Sequence, residues 1–308
     1  MCALPVELAA SQEMLDEEHE DLEQNENDNN LYALGQVGGH NIVLACLPAG
    51  QTGIGSAAVV ATQLKATFKW IRFGLMVGIG GGVPSKEDIR LGDVVVSQPY
   101  QGHGGVIQYD LGKTTPNRFE RTGFLNSPPQ ILLSAVARMR ANHLRQRSKL
   151  SEHVSKIQGL SEFIRDNAGP DVLYEASYDH VGGHSCEACS AGQVVNRQPR
   201  KNNKIMIHHG TIASGNQVMR DGTTRDEVSR DFGGVLCFEM EAAGLMNSFP
   251  CLVIRGICDY ADSHKNKRWQ AYASVAAAAC AKELLSVIPP ADVAKTRTVE
   301  ETIRATSG

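Results

Sequence analysis

An apolar run near the C-terminal end most constrains how this chain can fold. Residues 251–259 read Cys-Leu-Val-Ile-Arg-Gly-Ile-Cys-Asp, rich in β-branched and other apolar residues. Such a run predicts a strand that is buried on both faces. A strand of this kind needs a sheet that is covered on both sides, which indicates an α/β fold.

Carboxylates flank this predicted strand. Glu239 and Glu241 lie two positions apart in an extended apolar context, so their side chains are expected to point to the same side. Asp259 and Asp262 lie at its end. Burying a carboxylate without a partner is costly, and ligands of α/β sheets bind where strands end. The sequence therefore predicts a site with several acidic groups that faces a polar or cationic substrate.

The rest of the chain alternates predicted strands and helices. Strands are predicted at 31–37, 41–47, 74–78 and 204–209, with a turn at 210–215, and helices at 56–68, 129–150 and 269–288. This order indicates a mixed sheet covered on both sides. We expect one domain over residues 1–290 with an irregular insertion at about 100–203, then a polar tail or linker at 291–308.

Composition excludes several classes of protein. The 308 residues contain 30 Lys and Arg against 34 Asp and Glu, which argues against nucleic-acid binding. No run approaches the roughly 18 apolar residues of a membrane span, and no signal peptide is visible. The eight cysteines are scattered. Their pattern favours a reducing compartment, so a cytoplasmic location is expected.

Two groups of residues are ambiguous on sequence alone. Gly78 and the glycines at 80–82 follow a strand, where a ligand can approach the backbone closely, but their spacing fits neither the dinucleotide fingerprint nor a P-loop. A tight turn explains them as well. The carboxylates also have structural explanations, in which Glu241 caps a helix and Asp259 pairs with Arg255 or Lys265.

A histidine–cysteine cluster lies in the insertion. Four side chains that can bind zinc fall within ten positions: His180, His184, Cys186 and Cys189. The chain between them is short, and a single Cys-x-x-Cys pair is present. The spacing favours a plain surface loop without a metal, and a zinc site is the alternative.

Five motifs in order resemble the nucleoside phosphorylase/nucleosidase superfamily, which includes purine nucleoside phosphorylases and methylthioadenosine nucleosidases. They are Gly53-Ile-Gly55, the glycines at 78–82 followed by Gly92-Asp-Val-Val, Ser214-Gly215-Asn216, Glu239-Met240-Glu241-Ala242 and Asp259-Tyr-Ala-Asp262. The chain is most similar to the fungal type that is associated with NLR-like receptors. The resemblance implies a three-layer αβα sandwich whose central mixed β-sheet curls towards a barrel, no cofactor, and a homo-oligomer.

The resemblance also implies cleavage of the N-glycosidic bond of a purine nucleoside. Glu241 would hold the ribose hydroxyls, with Met240 packed on the sugar and Glu239 close by. Asp259 would protonate N7 of the purine, and Glu7 lies where hydrolytic members keep the carboxylate that activates water. The other expected substrate contacts are Phe238, Val218, Met219 and Gly80.

The resemblance favours hydrolysis over phosphorolysis. Many phosphorylases of the superfamily bind phosphate with two arginines and a serine, and the matching positions here are Met76, Leu8 and Ile79. We therefore predict a nucleosidase that converts adenosine, inosine or guanosine to free base and ribose. One alternative is a phosphorylase whose phosphate site is rebuilt from other residues, such as Arg255. Another is a catalytically inactive nucleoside-sensing module of a receptor-like protein.

The N-terminal segment departs from the family pattern. Family members have a complete apolar strand before the segment that matches Cys2-Ala-Leu-Pro5, and this sequence begins at the edge of that segment. Two alternatives follow from this departure: the sequence is a truncated version of the family domain, or it folds with a weakened sheet and a displaced Glu7.

Overall fold

A curved mixed sheet forms the centre of the molecule. The structure, a computed structural model, describes residues 1–23, 25–116, 119–157, 159–183, 185–202 and 204–306. Its strands are β1 (Glu17–His19), β2 (Tyr32–Val37), β3 (His40–Ala45), β4 (Gly74–Gly82), β5 (Val94–Ser97), β6 (Val106–Gln108), β7 (Gly112–Thr114), β8 (Phe119–Arg121), β9 (Ile207–Ser214), β10 (Val235–Glu239) and β11 (Cys251–Asp259). Its α-helices are α1 (Pro5–Gln12), α2 (Ile54–Thr67), α3 (Gln130–Leu144), α4 (Leu150–Ser155), α5 (Gly222–Asp231), α6 (Gln270–Ser286), α7 (Pro290–Ala294) and α8 (Val299–Thr306).

The predicted buried strand is β11, and it lies inside the sheet. It pairs in parallel with β4 and antiparallel with β5, within the order β10-β4-β11-β5-β9-β6. Because β10 also pairs with β9 in parallel, the sheet curls until five of its strands form a closed ring. The prediction of a mixed sheet that curls towards a barrel is confirmed.

Helices cover both faces of this sheet, which confirms the three-layer sandwich. Alternate residues of β11 point to opposite sides. Val253 and Ile257 belong to the core beneath α2, whereas Leu252 and Ile254 belong to the core beneath α1, α3 and α6. Among the described helices, none combines the length and apolar character needed to cross a membrane.

Helix α6 approaches β11 closely where Gly256 of the strand meets the alanine-rich side of the helix. A Cβ atom on Gly256 would lie 1.9 Å from the carbonyl oxygen of Ala273, closer than any real contact. The predicted helix at 269–288 is confirmed, and its alanine-rich side allows this close packing.

The first residues of the chain join the sheet. The amino group of Met1 donates to the carbonyl of Leu75 at 2.8 Å, and Val77 N–H donates to the carbonyl of Met1 at 3.0 Å. Helix α1 then begins at Pro5, whose fixed φ suits a first helical turn. Glu7 is 2% exposed on this helix. The alternative in which Glu7 is displaced is therefore wrong, because Met1 pairs beside β4, Cys2 pairs with Cys46 after β3, and the start of α1 is fixed.

Other sequence predictions also differ from the structure, among them the helix at 129–150, which ends at Leu144. Strand β9 continues through Ser214, where a turn was predicted, because it is paired on both sides. The insertion is not irregular throughout, since β6 pairs with β9 and α3 buries Leu132 and Met139 in the core. Residues 291–308 were predicted as a polar tail or linker. Those that the structure describes form most of α7 and all of α8, and Val299 is buried in the core.

The close approach of α6 to β11 predicts a large effect of one methyl group. Gly256→Ala is expected to lower the free energy of unfolding by at least about 2 kcal/mol, because either the helix or the strand must move. Gly55→Ala is the matched control, since a Cβ there meets no atom within 4 Å, and it should raise that free energy by about 0.5–1 kcal/mol. Denaturant unfolding measures both, and equal effects would contradict this packing.

Candidate active site

Two cavities formed by the described residues differ in character. The larger, about 400 Å³, lies between β3, β4 and α6 and is lined mainly by apolar side chains and by no carboxylate. The smaller, about 140 Å³, lies where β4, β10 and β11 end, and three carboxylates line it. Because carboxylates line only the smaller one of these two, we treat it as the candidate active site.

A buried arginine holds the carboxylates of this cavity together. Arg255 projects from the middle of β11 and is 0% exposed. Its Nη2 atom donates to a carboxylate oxygen of Glu239 and lies 3.4 Å from Oε2 of Glu241. Burial works against the charged guanidinium, yet Glu239, Glu241 and, at longer range, Glu7 raise the pKa of Arg255 above its ordinary value. Arg255 is therefore the fixed cation beneath the site.

Glu239 and Glu241 differ in how much of their hydrogen-bond accepting capacity remains available to a ligand. Glu239 uses its oxygens on Arg255 and on the backbone N–H groups of Glu241 and Ala242 at 3.1–3.2 Å. Glu241 accepts one hydrogen bond from Gly53 N–H at 3.2 Å, and burial raises the pKa of its carboxyl to about 7. Glu239 thus caps the turn at 242–244, the role predicted for Glu241, and Glu241 retains capacity to bind hydroxyl groups.

Glu7 reaches the same cavity from α1. Its Oε2 atom accepts hydrogen bonds from Ala3 N–H at 2.6 Å and Leu4 N–H at 2.9 Å, and its Oε1 atom accepts one from Ile79 N–H at 2.8 Å. These three donors fix the carboxylate against the end of β4. Glu7 and Glu241 line one cavity although they are far apart in the sequence.

The glycines of β4 make room for these charged groups. A Cβ on Gly78 would lie 2.4 Å from Nη1 of Arg255 and 2.5 Å from Oε1 of Glu7. A Cβ on Gly81 would lie 2.8 Å from Oδ1 of Asp259. The glycine run is therefore part of a long strand, not a turn, and its missing side chains admit the site's own carboxylates.

Asp259 lies just behind the wall of the cavity. Its Oδ1 atom accepts a hydrogen bond from Ala261 N–H at 2.9 Å, and its Oδ2 atom lies 3.0 Å from Nζ of Lys265. Burial lowers the pKa of Lys265, but the charge of Asp259 outweighs it and leaves the pKa raised. Lys265, and not Asp259, lines the cavity. The pairing of Asp259 with Lys265 was one of the two that the sequence allowed.

One side of the cavity is apolar. Phe238 is buried and packs edge-on against Tyr109, with ring centroids 5.4 Å apart. Val218, Met219 and Met240 line the same space. This wall suits a flat, weakly polar group such as an aromatic ring.

The structure brings most of the predicted site residues to this one cavity. Those that line it are Glu7, Gly80, Val218, Met219, Phe238, Glu239, Met240 and Glu241. Asp259 lies behind Lys265. Sequence reasoning missed the central role of Arg255, although a charged residue inside an apolar strand is a signal that carboxylates must surround it.

Comparison with known proteins places this chain in a family. The family profile described as the Phosphorylase superfamily matches residues 1–289. The chain belongs to this superfamily. The suspected relationship to nucleoside phosphorylases and nucleosidases is thereby confirmed.

Individual relatives are nucleosidases or NLR-like proteins. A "Nucleotide-binding leucine-rich repeat (NLR)-like protein" of Hyaloscypha variabilis is 46% identical over 294 residues, which cover 94% of this chain and 29% of that relative. A 5'-methylthioadenosine/S-adenosylhomocysteine nucleosidase of Mycobacterium bovis is 26% identical over 299 residues. That match covers 94% of this chain and 95% of the nucleosidase. The predicted NLR-associated type is confirmed, and the chain spans about three tenths of the NLR-like relative.

Solved structures confirm the fold. A 5'-methylthioadenosine/S-adenosylhomocysteine nucleosidase from S. pneumoniae, solved with a transition-state inhibitor, superposes with a TM-score of 0.58. The match covers 94% of this chain and 97% of that one at 18% identity. The architecture of this chain is thus that of nucleosidases of the superfamily.

The environment of Glu241 predicts a specific pH dependence of stability. Its pKa is raised from 4.5 to about 7 in the folded protein, so the folded state binds the additional proton. The stability that Glu241 contributes is therefore lost as pH rises from about 4.5 to about 7. Glu241→Gln, which mimics the protonated form, should gain stability relative to the wild type across this window. Urea unfolding at several pH values measures the difference, and a difference that does not vary with pH would contradict the assignment.

Proposed function

We propose that this chain is a purine nucleosidase, which hydrolyses the N-glycosidic bond of a purine nucleoside to free base and ribose. The observation that carries the proposal is the convergence of Glu7 and Glu241 on one cavity whose described lining contains no unpaired cation. The nucleosidase relatives support cleavage of an N-glycosidic bond.

Glu241 is the ribose ligand in this proposal. A carboxylate can accept hydrogen bonds from two vicinal hydroxyls at once, one on each oxygen. Glu241 has few other partners, while Glu239 is occupied by Arg255 and the backbone. Glu239 therefore acts as a positioning residue that keeps Arg255 and Glu241 in place. Gly80 and Met240 complete the floor on which the sugar rests.

The charges around the cavity argue against a phosphate co-substrate. Phosphate binding usually requires an arginine whose donors are available to the anion. Arg255 is fully buried and already faces two carboxylates, and Lys265 faces Asp259. Glu7 also takes the Ile79 N–H at the end of β4 and would repel an anion there. These contacts favour water as the nucleophile and weaken the alternative in which Arg255 rebuilds a phosphate site.

The reaction then follows from the positions of three carboxyl groups. The bond between C1′ and N9 breaks, its electron pair goes to the purine, and N7 takes a proton from Asp259. Water forms the new bond to C1′ and gives its proton to Glu7. General acid and general base steps of this kind each contribute about 10²–10⁴-fold. For Asp259 to act as the acid, Lys265 must leave Oδ2 and a proton from solvent must take its place there, so Lys265 gates the acid.

The NLR-like relative favours a second candidate function. In it, the domain binds a nucleoside and reports it to attached receptor modules without cleaving it. The 46% identity to a much longer NLR-like protein supports this candidate. The two functions differ in one observable, the release of free base.

The experiment that tests the proposal is a release assay with adenosine, inosine and guanosine, with and without phosphate. We expect at least one nucleoside to yield free base at equal rates in both buffers. Asp259→Asn should lower the rate by about 10²–10⁴-fold and still fold, because Asn retains the acceptor for Ala261 N–H. Asp21→Asn, at an exposed position, is the matched control and should leave the rate unchanged.

Three outcomes would contradict the proposal. Release only in the presence of phosphate would indicate a phosphorylase. Tight binding of a nucleoside without any release would indicate the sensing module. A normal rate in Asp259→Asn would refute the assignment of the acid.

A further inference from the structure

The insertion contains a second group of side chains that the proposed reaction does not use. Atoms of His180, Cys186 and Cys189 that can bind a metal all lie within 4.8 Å of one another. His184, the fourth candidate of the sequence, lies outside the described residues. The three side chains are half-buried, and the two cysteines are thiols, not a disulfide.

We propose that His180, Cys186 and Cys189 bind a zinc ion that fixes the loop at 169–202 against the wall of the active site. The spacing is close to what zinc requires. With Zn–S bonds of about 2.3 Å and Zn–N bonds of about 2.0–2.1 Å, neighbouring ligands of a tetrahedral ion lie roughly 3.5–3.8 Å apart. Movements of the ligand atoms by about 1 Å, through side-chain rotation, would bring the three ligands to that spacing.

The local structure around the three ligands supports a metal. Cys186 begins a short 3₁₀ turn, and Cys189 N–H donates to the carbonyl of Cys186 at 3.1 Å, which brings the two thiols to the same side. Nε2 of His180 lies 3.1 Å from the carbonyl oxygen of Ser185. A histidine that donates this second hydrogen bond leaves its other ring nitrogen free for a metal, as metal-binding histidines commonly do. Two thiolates with an imidazole are a ligand set that zinc prefers over calcium or magnesium.

The loop also needs something to order it. Residues 169–202 contain only two 3₁₀ turns and one isolated bridge within the described part, between Tyr174 and Val194. Loops of this length without regular structure are uncommon in compact domains, because ordering them is costly in conformational entropy. A metal that closes the segment from His180 to Cys189 would offset that cost.

The loop touches the segment that follows Asp259, which gives the metal a role. His180 N–H donates to the hydroxyl of Ser263 at 3.0 Å. Tyr174 stacks on His264 with ring centroids 4.1 Å apart. Ser263 and His264 directly precede Lys265, the partner of Asp259. Zinc thus acts through the loop to position this wall, and it takes no part in bond cleavage.

Zinc content of the purified, full chain tests the proposal, and it does so independently of any enzymatic activity. The wild type should contain about one zinc ion per chain by elemental analysis. Two separate variants, the double variant Cys186→Ser/Cys189→Ser and the single variant His180→Ala, should each contain less than about a tenth of that. Cys280→Ala and His19→Ala, which change a cysteine and a histidine outside the cluster, should keep the metal. A wild type that neither contains zinc nor takes it up when zinc is added would overturn the proposal, and so would a double variant that retains it.

A second measurement uses only the wild type, so it does not depend on whether the variants fold. Zinc should protect Cys186 and Cys189 from alkylation, and a chelator should speed their modification by about tenfold or more, because the bound thiolates become free nucleophiles. Peptide mass spectrometry identifies the modified thiols. Equal rates with and without chelator, or a Cys186–Cys189 disulfide in freshly purified protein, would contradict the zinc site.

Discussion

The structure depends on one buried charge, the guanidinium of Arg255 in the middle of a central strand. An ion that is 0% exposed is stable only with close partners, and Glu239 and Glu241 supply them. Removing one member of such a buried pair costs about 3–5 kcal/mol, because the other charge is left without compensation. The need of Arg255 for these partners explains why the loop after β10 returns to the sheet. It also explains why β4, the strand beside β11, carries glycine at position 78.

The same charge determines what the cavity can bind. Because Arg255 and Lys265 both face the protein's own carboxylates, the site attracts neutral hydroxyl groups more readily than an anion. Glu241 has a raised pKa and few partners, which suits a ligand that supplies its own hydrogen-bond donors. Glu7 is held by three backbone N–H groups beside it. Under the proposed function, this arrangement suits a ribose and a water molecule.

The sequence was informative where a local pattern decides the structure, and less so where distant residues meet. The apolar run at 251–259 predicted the central strand, and the order of motifs predicted the sandwich. The partners of Arg255 were not predicted, because Glu239 lies 16 positions away and only the return of the chain after β10 brings it close. A displaced Glu7 was one alternative, since hydrogen bonds between Met1 and β4 leave no signal in composition or periodicity. Lys265 illustrates the same limit, since the sequence allowed it or Arg255 as the partner of Asp259.

The most direct test of the account is the fate of isotopically labelled water. The central claim is that the site activates water because its cations are already paired. In H₂¹⁸O that also contains phosphate, hydrolysis at this site puts the label on C1 of the ribose as it is released, before solvent exchange of the anomeric oxygen, as mass spectrometry at early times can show. Formation of ribose 1-phosphate without label would contradict it, because phosphate would then have reached a cation that the structure assigns to carboxylates.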